Sequence, residues 1–347
     1  MRDYTGKTVF IGIDVHKKTY AVTAVCENQV VKKDRLCAQP ELLINYCKKY
    51  FLGADIESAY ETGFCGFFLH RRLLENGIRN RVVHAAGIEI ASGDKVKTDK
   101  RDSMKLATQL SVGRLKGINV PTKEREDYRA LTRMRETFIR HRRRCGCQLK
   151  AVLFQQGLIP FDHTSAVSAK WIKSLQEMSM TKEIRYVVEE YAHLWLHFTC
   201  RIKKIEEEMA NQAQKDERIE SVYRSVPGVG PVVARALANE LGDTLQFNNE
   251  RRLFSFVGMT PSEHSSGEHV RQGHISRQGS AFVRKLLVQV AWKAIKLDPS
   301  LREVFERISL RAGKKRAIIG VARRIIGRIR ACFKNGTLYC IGEKQAV

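Results

Sequence analysis

Four acidic residues in this chain could do chemistry together: Asp14, Glu61, Asp99 and Asp102. Asp14 closes the apolar run Thr8-Val9-Phe10-Ile11-Gly12-Ile13, and Glu61 closes Asp55-Ile56-Glu57-Ser58-Ala59-Tyr60. Asp99 and Asp102 stand three apart in Lys97-Thr98-Asp99-Lys100-Arg101-Asp102, a spacing that shares one helix face. The surrounding protein is basic, with 61 Lys and Arg against 37 Asp and Glu and a formal net charge of +24. Carboxylates gathered in such a chain suit a hard divalent cation, and Mg²⁺ beside a phosphate backbone means phosphodiester chemistry. Lys97, Lys100 and Arg101, with Lys95, would hold the phosphate beside the acids. Glu57 faces the same side as Glu61 but lies inside its strand, away from the open edge, and is excluded.

The elements that must carry these acids are strands first and helices later. Residues 9–14, 20–26 and 30–36 read as β-rich runs in an antiparallel meander. A helix over 41–50, a strand over 56–61, a helix over 64–75 and a strand over 81–84 follow. Gly77 fits the left-handed position that ends the second helix. This order predicts a mixed five-stranded sheet of the ribonuclease-H (RuvC-like) type, with its site at the open end of the strands. From residue 123 the pattern turns helical. Ile184, Val188, Tyr191, Trp195, Phe198, Ile202, Ile205 and Met209 keep an alternating four-then-three spacing, the seam of a coiled coil. A looser stripe, Leu131, Met134, Phe138, His141 and Cys145, matches it. An antiparallel hairpin or an intermolecular coiled coil accounts for both. The expected division is an α/β domain over 1–122, a helical coiled-coil region over 123–217 and a mainly helical domain over 218–347.

Polyanion contacts fall in the two helical regions. The basic helix over 133–150 carries Arg140, Arg142, Arg143 and Arg144, a backbone-tracking surface for nucleic acid. Ser225-Val226-Pro227-Gly228-Val229-Gly230-Pro231 resembles the turn of a helix-hairpin-helix. There, Gly228 and Gly230 would let backbone amides approach a phosphate. Further on, Ser265-Ser266-Gly267 lies among Arg271, Arg277 and Arg284, cations that could stabilise a phosphate under attack by a serine. No stretch approaches about 18 consecutive apolar residues, so no membrane partner is expected. The nine cysteines lack zinc-ribbon spacing and no export signal precedes them, which suggests reduced thiols in a cytosol. Cys145-Gly146-Cys147 has no second pair to complete a metal site.

Taken together, these motifs resemble the DEDD transposases of bacterial insertion sequences, recombinases guided by a bridge or seeker RNA. The resemblance rests on Gly12-Ile13-Asp14-Val15-His16-Lys17, Glu61-Thr62-Gly63, the segment from Lys97 to Asp102, Pro227-Gly228-Val229-Gly230, Phe256-Val257-Gly258-Met259-Thr260-Pro261, and Ser266-Gly267 followed by Arg271. It implies Mg²⁺ at Asp14, Glu61, Asp99 and Asp102, and Ser266 as the nucleophile that becomes linked to a DNA 5′-phosphate. Ser265 stands directly before it and remains the alternative. Ser103 stands where the family usually has Ala. The implied partners are element-end and target DNA, a guide RNA and further copies of the chain in a dimer or tetramer, with acids of one subunit meeting the serine of another. The implied location is the bacterial cytoplasm, at the nucleoid. A metal-dependent junction resolvase that activates water with the same acids is the alternative enzyme, and a non-catalytic nucleic-acid-binding protein the alternative without chemistry.

Overall fold

The computed structural model describes residues 3–89, 98–263 and 271–342. It falls into two units, Met1–Val120 and Pro121–Val347.

In the first unit, β1 (Thr8–Val15), β2 (Thr19–Cys26) and β3 (Gln29–Cys37) form an antiparallel meander. Then come α1 (Pro40–Tyr50), β4 (Asp55–Glu61), α2 (Phe68–Glu75), β5 (Arg79–Val83) and α3 (Asp99–Ser111). The strands lie in the order β3-β2-β1-β4-β5, with β4 parallel to β1 and to β5. This is the mixed five-stranded sheet that the sequence predicts, and it is compatible with a ribonuclease-H-like domain. Period-two alternation sorts the side chains onto two faces. Val9, Ile11, Ile13, Val22, Ala24 and Tyr60 join Leu43 of α1 and Leu69 and Leu73 of α2 in one buried cluster. On the other face, Ala59 and Val83 meet Leu106 and Leu110 of α3. Helix α2 begins at Phe68, four residues later than expected, because Gly66 sits at φ +56°, which a right-handed helix cannot include. Gly77, at φ +78°, ends the helix as expected.

The second unit begins with two long helices, α4 (Lys123–Gln155) and α6 (Lys182–Lys215), joined through the short α5 (Ala169–Ser174). Thr122 and Thr181 cap α4 and α6, each hydroxyl accepting a hydrogen bond from the backbone amide three residues on. Arg135 pairs with Glu206, Phe138 packs on Phe198, and Arg142 lies over Trp195. Partners descend on α6 as they ascend on α4, so the helices run antiparallel. The heptad seam is therefore used inside one chain, as the antiparallel hairpin that the sequence offered.

After them come α7 (Glu217–Arg224), α8 (Pro231–Leu241), α9 (Glu250–Val257), the strands β6 (Pro261–Glu263) and β7 (Gln272–Ile275), α10 (Ala281–Leu297), α11 (Pro299–Ala312) and α12 (Lys314–Asn335). Their core includes Leu237, Leu253, Val257, Leu287 and Ala291, with the α12 stripe Ile318, Val321, Ile325 and Ile329 that the sequence marks as apolar. The antiparallel pair β6–β7 was not anticipated; the sequence reads there as loop. Three and four residues are too few to show a period.

Candidate active site and nucleic-acid interface

Asp14 sits near the end of β1 on the face covered by α3. Strand register builds a row across the sheet there. Asp14 pairs with Ala21 of β2, which pairs with Arg35 of β3. On the other side Ile13 pairs with Tyr60, so the next residues, Asp14 and Glu61, emerge side by side on the α3 face. Helix α3 starts at Asp99 and carries Asp99 and Asp102 in its first turn, where the helix dipole favours negative charge.

Gly12 lets that turn approach. A Cβ at Gly12 would lie 2.0 Å from the carbonyl oxygen of Ser103 and 2.4 Å from the amide nitrogen of Ala107. Both are backbone atoms of α3, so no side-chain rotation could relieve the clash. The hydroxyl of Ser103 is hydrogen-bonded to that of Thr23 on β2 at 2.9 Å, a second tie between helix and sheet. Ser103 thus fills a structural role at the position where the family usually has Ala. We expect Gly12→Ala to displace α3 and cost about 1–3 kcal/mol of stability, the range for overpacking. Cleavage should fall further than the folded fraction, because Asp99 and Asp102 move with the helix. Thermal unfolding and a cleavage assay on the same sample check this; equal losses would mean that α3 does not position the acids.

Around Asp14 the charges are closely set. His16 Nε2 lies 3.0 Å from Asp14 Oδ2 and 3.3 Å from Asp99 Oδ1, and Arg35 Nη2 lies 2.5 Å from Asp99 Oδ2. Ligand atoms of Asp14, His16 and Asp99 all fall within 4.8 Å of one another, a group able to hold a metal ion among the described residues. Burial pushes the Asp14 carboxyl above its ordinary range; His16 opposes this, and the charges of Asp102 and Asp99 add to it. Carboxylates so placed need a neighbouring cation, and the donor set fits a divalent one. Glu61 and Asp102 lie outside the tight group: Glu61 is exposed beside Asp14, and Asp102 is 4.0 Å from Lys105 Nζ. Glu57, excluded from the sequence, is engaged by Arg79 at 3.0 Å and Arg81 at 3.2 Å. His16 went unassigned in the sequence reading, although its place two residues after Asp14 returns it to the same strand edge.

The basic residues divide by what they already contact. In the first half of α4, Arg125 pairs with Asp216, Arg133 with Glu240 and Arg135 with Glu206. Arg129 donates to the backbone carbonyls of Asn239 and Glu240. Arg140 donates to Thr137, and Arg142 lies 5.6 Å from the Trp195 ring. Among the described residues Arg140, Arg142, Arg143 and Arg144 form no ion pair. Lys100 and Arg101 are exposed on α3; Lys97 lies outside the described residues. In the turn between α7 and α8, Gly228 has φ +84°, and its α-carbon is packed so that a Cβ would meet Lys293 of α10 at 2.6 Å. Gly230 is exposed at the start of α8, with open space about it. The two glycines differ in kind: one packs and one leaves the helix start open.

Ser265, Ser266 and Gly267 lie outside the described residues, in the connection between β6 and β7. Glu263 pairs with Gln272 where that connection leaves and rejoins the strands, and the Ser276 amide donates to the Thr260 carbonyl past the other end of the strand pair. Gly258, at φ +70°, ends α9 and turns the chain into β6. Arg271 and Arg277 are exposed, and Arg277 adopts φ +56°, uncommon for a side-chain-bearing residue. Arg284 donates to the Val257 carbonyl at 2.8 Å, which commits part of its guanidinium to the end of α9.

Two family models match the chain. One, described as transposase and of the DEDD type, covers residues 11–156; the other, described as transposase IS116/IS110/IS902 family, covers residues 220–306. The chain is 27% identical over 300 residues to the y4qE protein of Sinorhizobium fredii, spanning 82% of this chain and 72% of the relative. It is 28% identical over 202 residues to the transposase for insertion sequence element IS1111A of Coxiella burnetii, 56% of this chain and 54% of that one. To the transposase for insertion sequence element IS1533 of Leptospira borgpetersenii it is 23% identical over 353 residues, 95% and 96% of the two chains.

Proposed function

We propose, from the premise that this chain belongs to the IS116/IS110/IS902 family of transposases, that it moves its own insertion sequence by Mg²⁺-dependent, RNA-guided strand transfer through a serine. The observation that carries this reading is the gathering of Asp14, His16 and Asp99 at one strand edge of a strongly basic chain. Asp14, Glu61, Asp99 and Asp102 would hold the divalent cation, with His16 beside them. Bound there, the cation would supply neutralisation of the scissile phosphate and polarisation of its P–O bonds.

The chain's own residues supply the rest. Lys97, Lys100 and Arg101 neighbour the acids in sequence and suit the flanking backbone. The Ser266 oxygen, or that of Ser265, bonds to phosphorus while the bond to the 3′ oxygen breaks. The serine loses a proton and the departing 3′ oxygen gains one. A free 3′-OH then attacks the phosphoserine, rejoining a strand and restoring the serine without outside energy. Arg271 and Arg277 offer charge to the phosphate during both steps. The free amides at the start of α8 beside Gly230, and Arg140 to Arg144 on α4, hold nucleic-acid backbone. Base pairing with a guide RNA selects the target, while the protein reads shape and backbone. Further copies of the chain associate with it in a dimer or tetramer.

With labelled element-end DNA and guide RNA, we expect cleavage in Mg²⁺ and none after chelation, with binding retained. Cleavage that persists in chelator would remove the metal from the reaction. Salt gives an independent check on the basic surface. Neutralising Arg140, Arg142, Arg143 and Arg144 together should weaken binding to all sequences alike and flatten the salt dependence. An effect confined to one sequence would mean base reading instead.

A further inference from the structure

We propose that a notch between α4 and α6 is a stacking site for one unpaired base of a single-stranded nucleic acid. The proposal rests on the nucleic-acid reading of α4 and specifies the form of strand it takes. The notch is a cavity of about 380 Å³ whose lining includes Arg142, Arg143, Gly146, Lys150, Val167 and Trp195. That volume falls in the lower part of the range of small-ligand pockets, about 300–1,000 Å³.

Three features make it more than a packing defect. Gly146 stands inside a 33-residue helix, where glycine is disfavoured. A Cβ there would come within 3.5 Å of the Trp195 indole and 3.3 Å of Val167. Without it, Gly146 and the indole both line the notch. Secondly, the Arg142 guanidinium lies over the indole, 5.6 Å from its centroid, a flat partner whose place a base would take. Thirdly, the rim is cationic. Arg142 and Arg143 form no ion pair among the described residues, in contrast to Arg125, Arg133 and Arg135 of the same helix. Lys150, also in the lining, donates to the Ser165 carbonyl.

An aromatic plane inside a cationic rim recognises a base with its own phosphates, because every base offers a π face and each linkage a negative charge. A duplex buries its bases in the stack and cannot present one here without flipping it. Arg140 and Arg144, which form no ion pair among the described residues either, continue the cationic rim along α4 and favour a strand over a free nucleotide.

The test uses the full chain with a uridine homopolymer, a thymidine homopolymer and a mixed-sequence duplex, read by tryptophan fluorescence and by affinity. Binding of either single strand should quench Trp195 emission. Trp195→Ala should weaken single-strand binding about 5- to 150-fold, the loss of one stacked base, and leave duplex binding unchanged. Trp195→Phe, which keeps a ring, should recover most of the loss. Gly146→Leu, which fills the notch from the other helix, should repeat the Trp195→Ala result while the indole itself is retained. A loss confined to the uridine strand would assign the site to RNA, and an equal loss to either strand type. Normal single-strand affinity in both Trp195→Ala and Gly146→Leu, with α4 still binding duplex, would overturn the stacking site alone. Failure of the unaltered chain to bind any strand would overturn the reading of α4 with it.

Discussion

Asp14→Ala, Glu61→Ala, Asp99→Ala and Asp102→Ala should each abolish strand cleavage while leaving nucleic-acid binding nearly intact. A bound cation supplies several kcal/mol of charge stabilisation to phosphoryl transfer. At 1.36 kcal/mol per decade, its loss means a decrease of about a thousandfold or more. The binding surface is built from other residues, so affinity should survive. A signature independent of activity accompanies the loss. Asp14 is half-buried beside two acids and its carboxyl is pushed up by that burial, so the fold bears a cost to ionise it. Below the ordinary value of 3.8 that cost is absent, and it grows as pH rises through the raised folded value. At neutral pH, therefore, Asp14→Asn should leave the metal-free Tm unchanged or higher. Mg²⁺ should raise the Tm of the unaltered protein and not that of the variant. Any one of the four alanine variants with near-normal recombination in Mg²⁺ would take its residue out of the site.

Asp298→Ala should destabilise the protein by about 3–5 kcal/mol, the cost of stranding a buried charge. Asp298 is fully buried between α10 and α11, and its Oδ2 accepts from Arg328 at 3.1 Å and from the Tyr339 hydroxyl at 2.5 Å. Its other oxygen caps α11 through the amide and hydroxyl of Ser300. Burial pushes this carboxyl up, but Tyr339, Ser300 and Arg328 outweigh it and hold the carboxyl below its ordinary range. A lowered folded value stabilises above the unfolded pKa and is lost as pH falls through the folded one. Asp298 should thus contribute to unfolding in strong acid, and that part of the acid transition should vanish in the variant. The double variant Asp298→Ala, Arg328→Met should cost less than the two changes summed, because no charge is left unpaired. Urea unfolding measures all three. A loss below about 1 kcal/mol for Asp298→Ala would mean that Arg328 finds water.

Much of the first unit could be read from the chain because its signals are local. Runs of β-favouring apolar residues marked β1, β2 and β4, and the two acids closing β1 and β4 marked the strand edge. What escaped depended on contacts distant in sequence. Arg35 joins the acids only through strand register, His16 reaches Asp99 only across the fold, and Gly12 acquires its role only once α3 lies on it. The arginines of α4 looked alike in the sequence; Glu240, Asp216 and Glu206, 71 to 107 residues away, separate the structural ones from Arg140 to Arg144. The seam of α6 was legible as a seam, but periodicity cannot say whether its partner is the same chain or another. The pair β6–β7 was invisible because strands of three and four residues are too short to show a hydrophobic alternation.

Denaturing electrophoresis of labelled DNA after reaction with the full chain, guide RNA and Mg²⁺ tests the central claim most directly. The account predicts a protein–DNA adduct that withstands denaturation, maps by peptide analysis to Ser266 and is absent from Ser266→Ala, although that variant still binds DNA and RNA. An adduct at Ser265 would move the nucleophile by one residue. A clean nick with no adduct would contradict serine transfer and leave a metal-dependent nuclease that activates water.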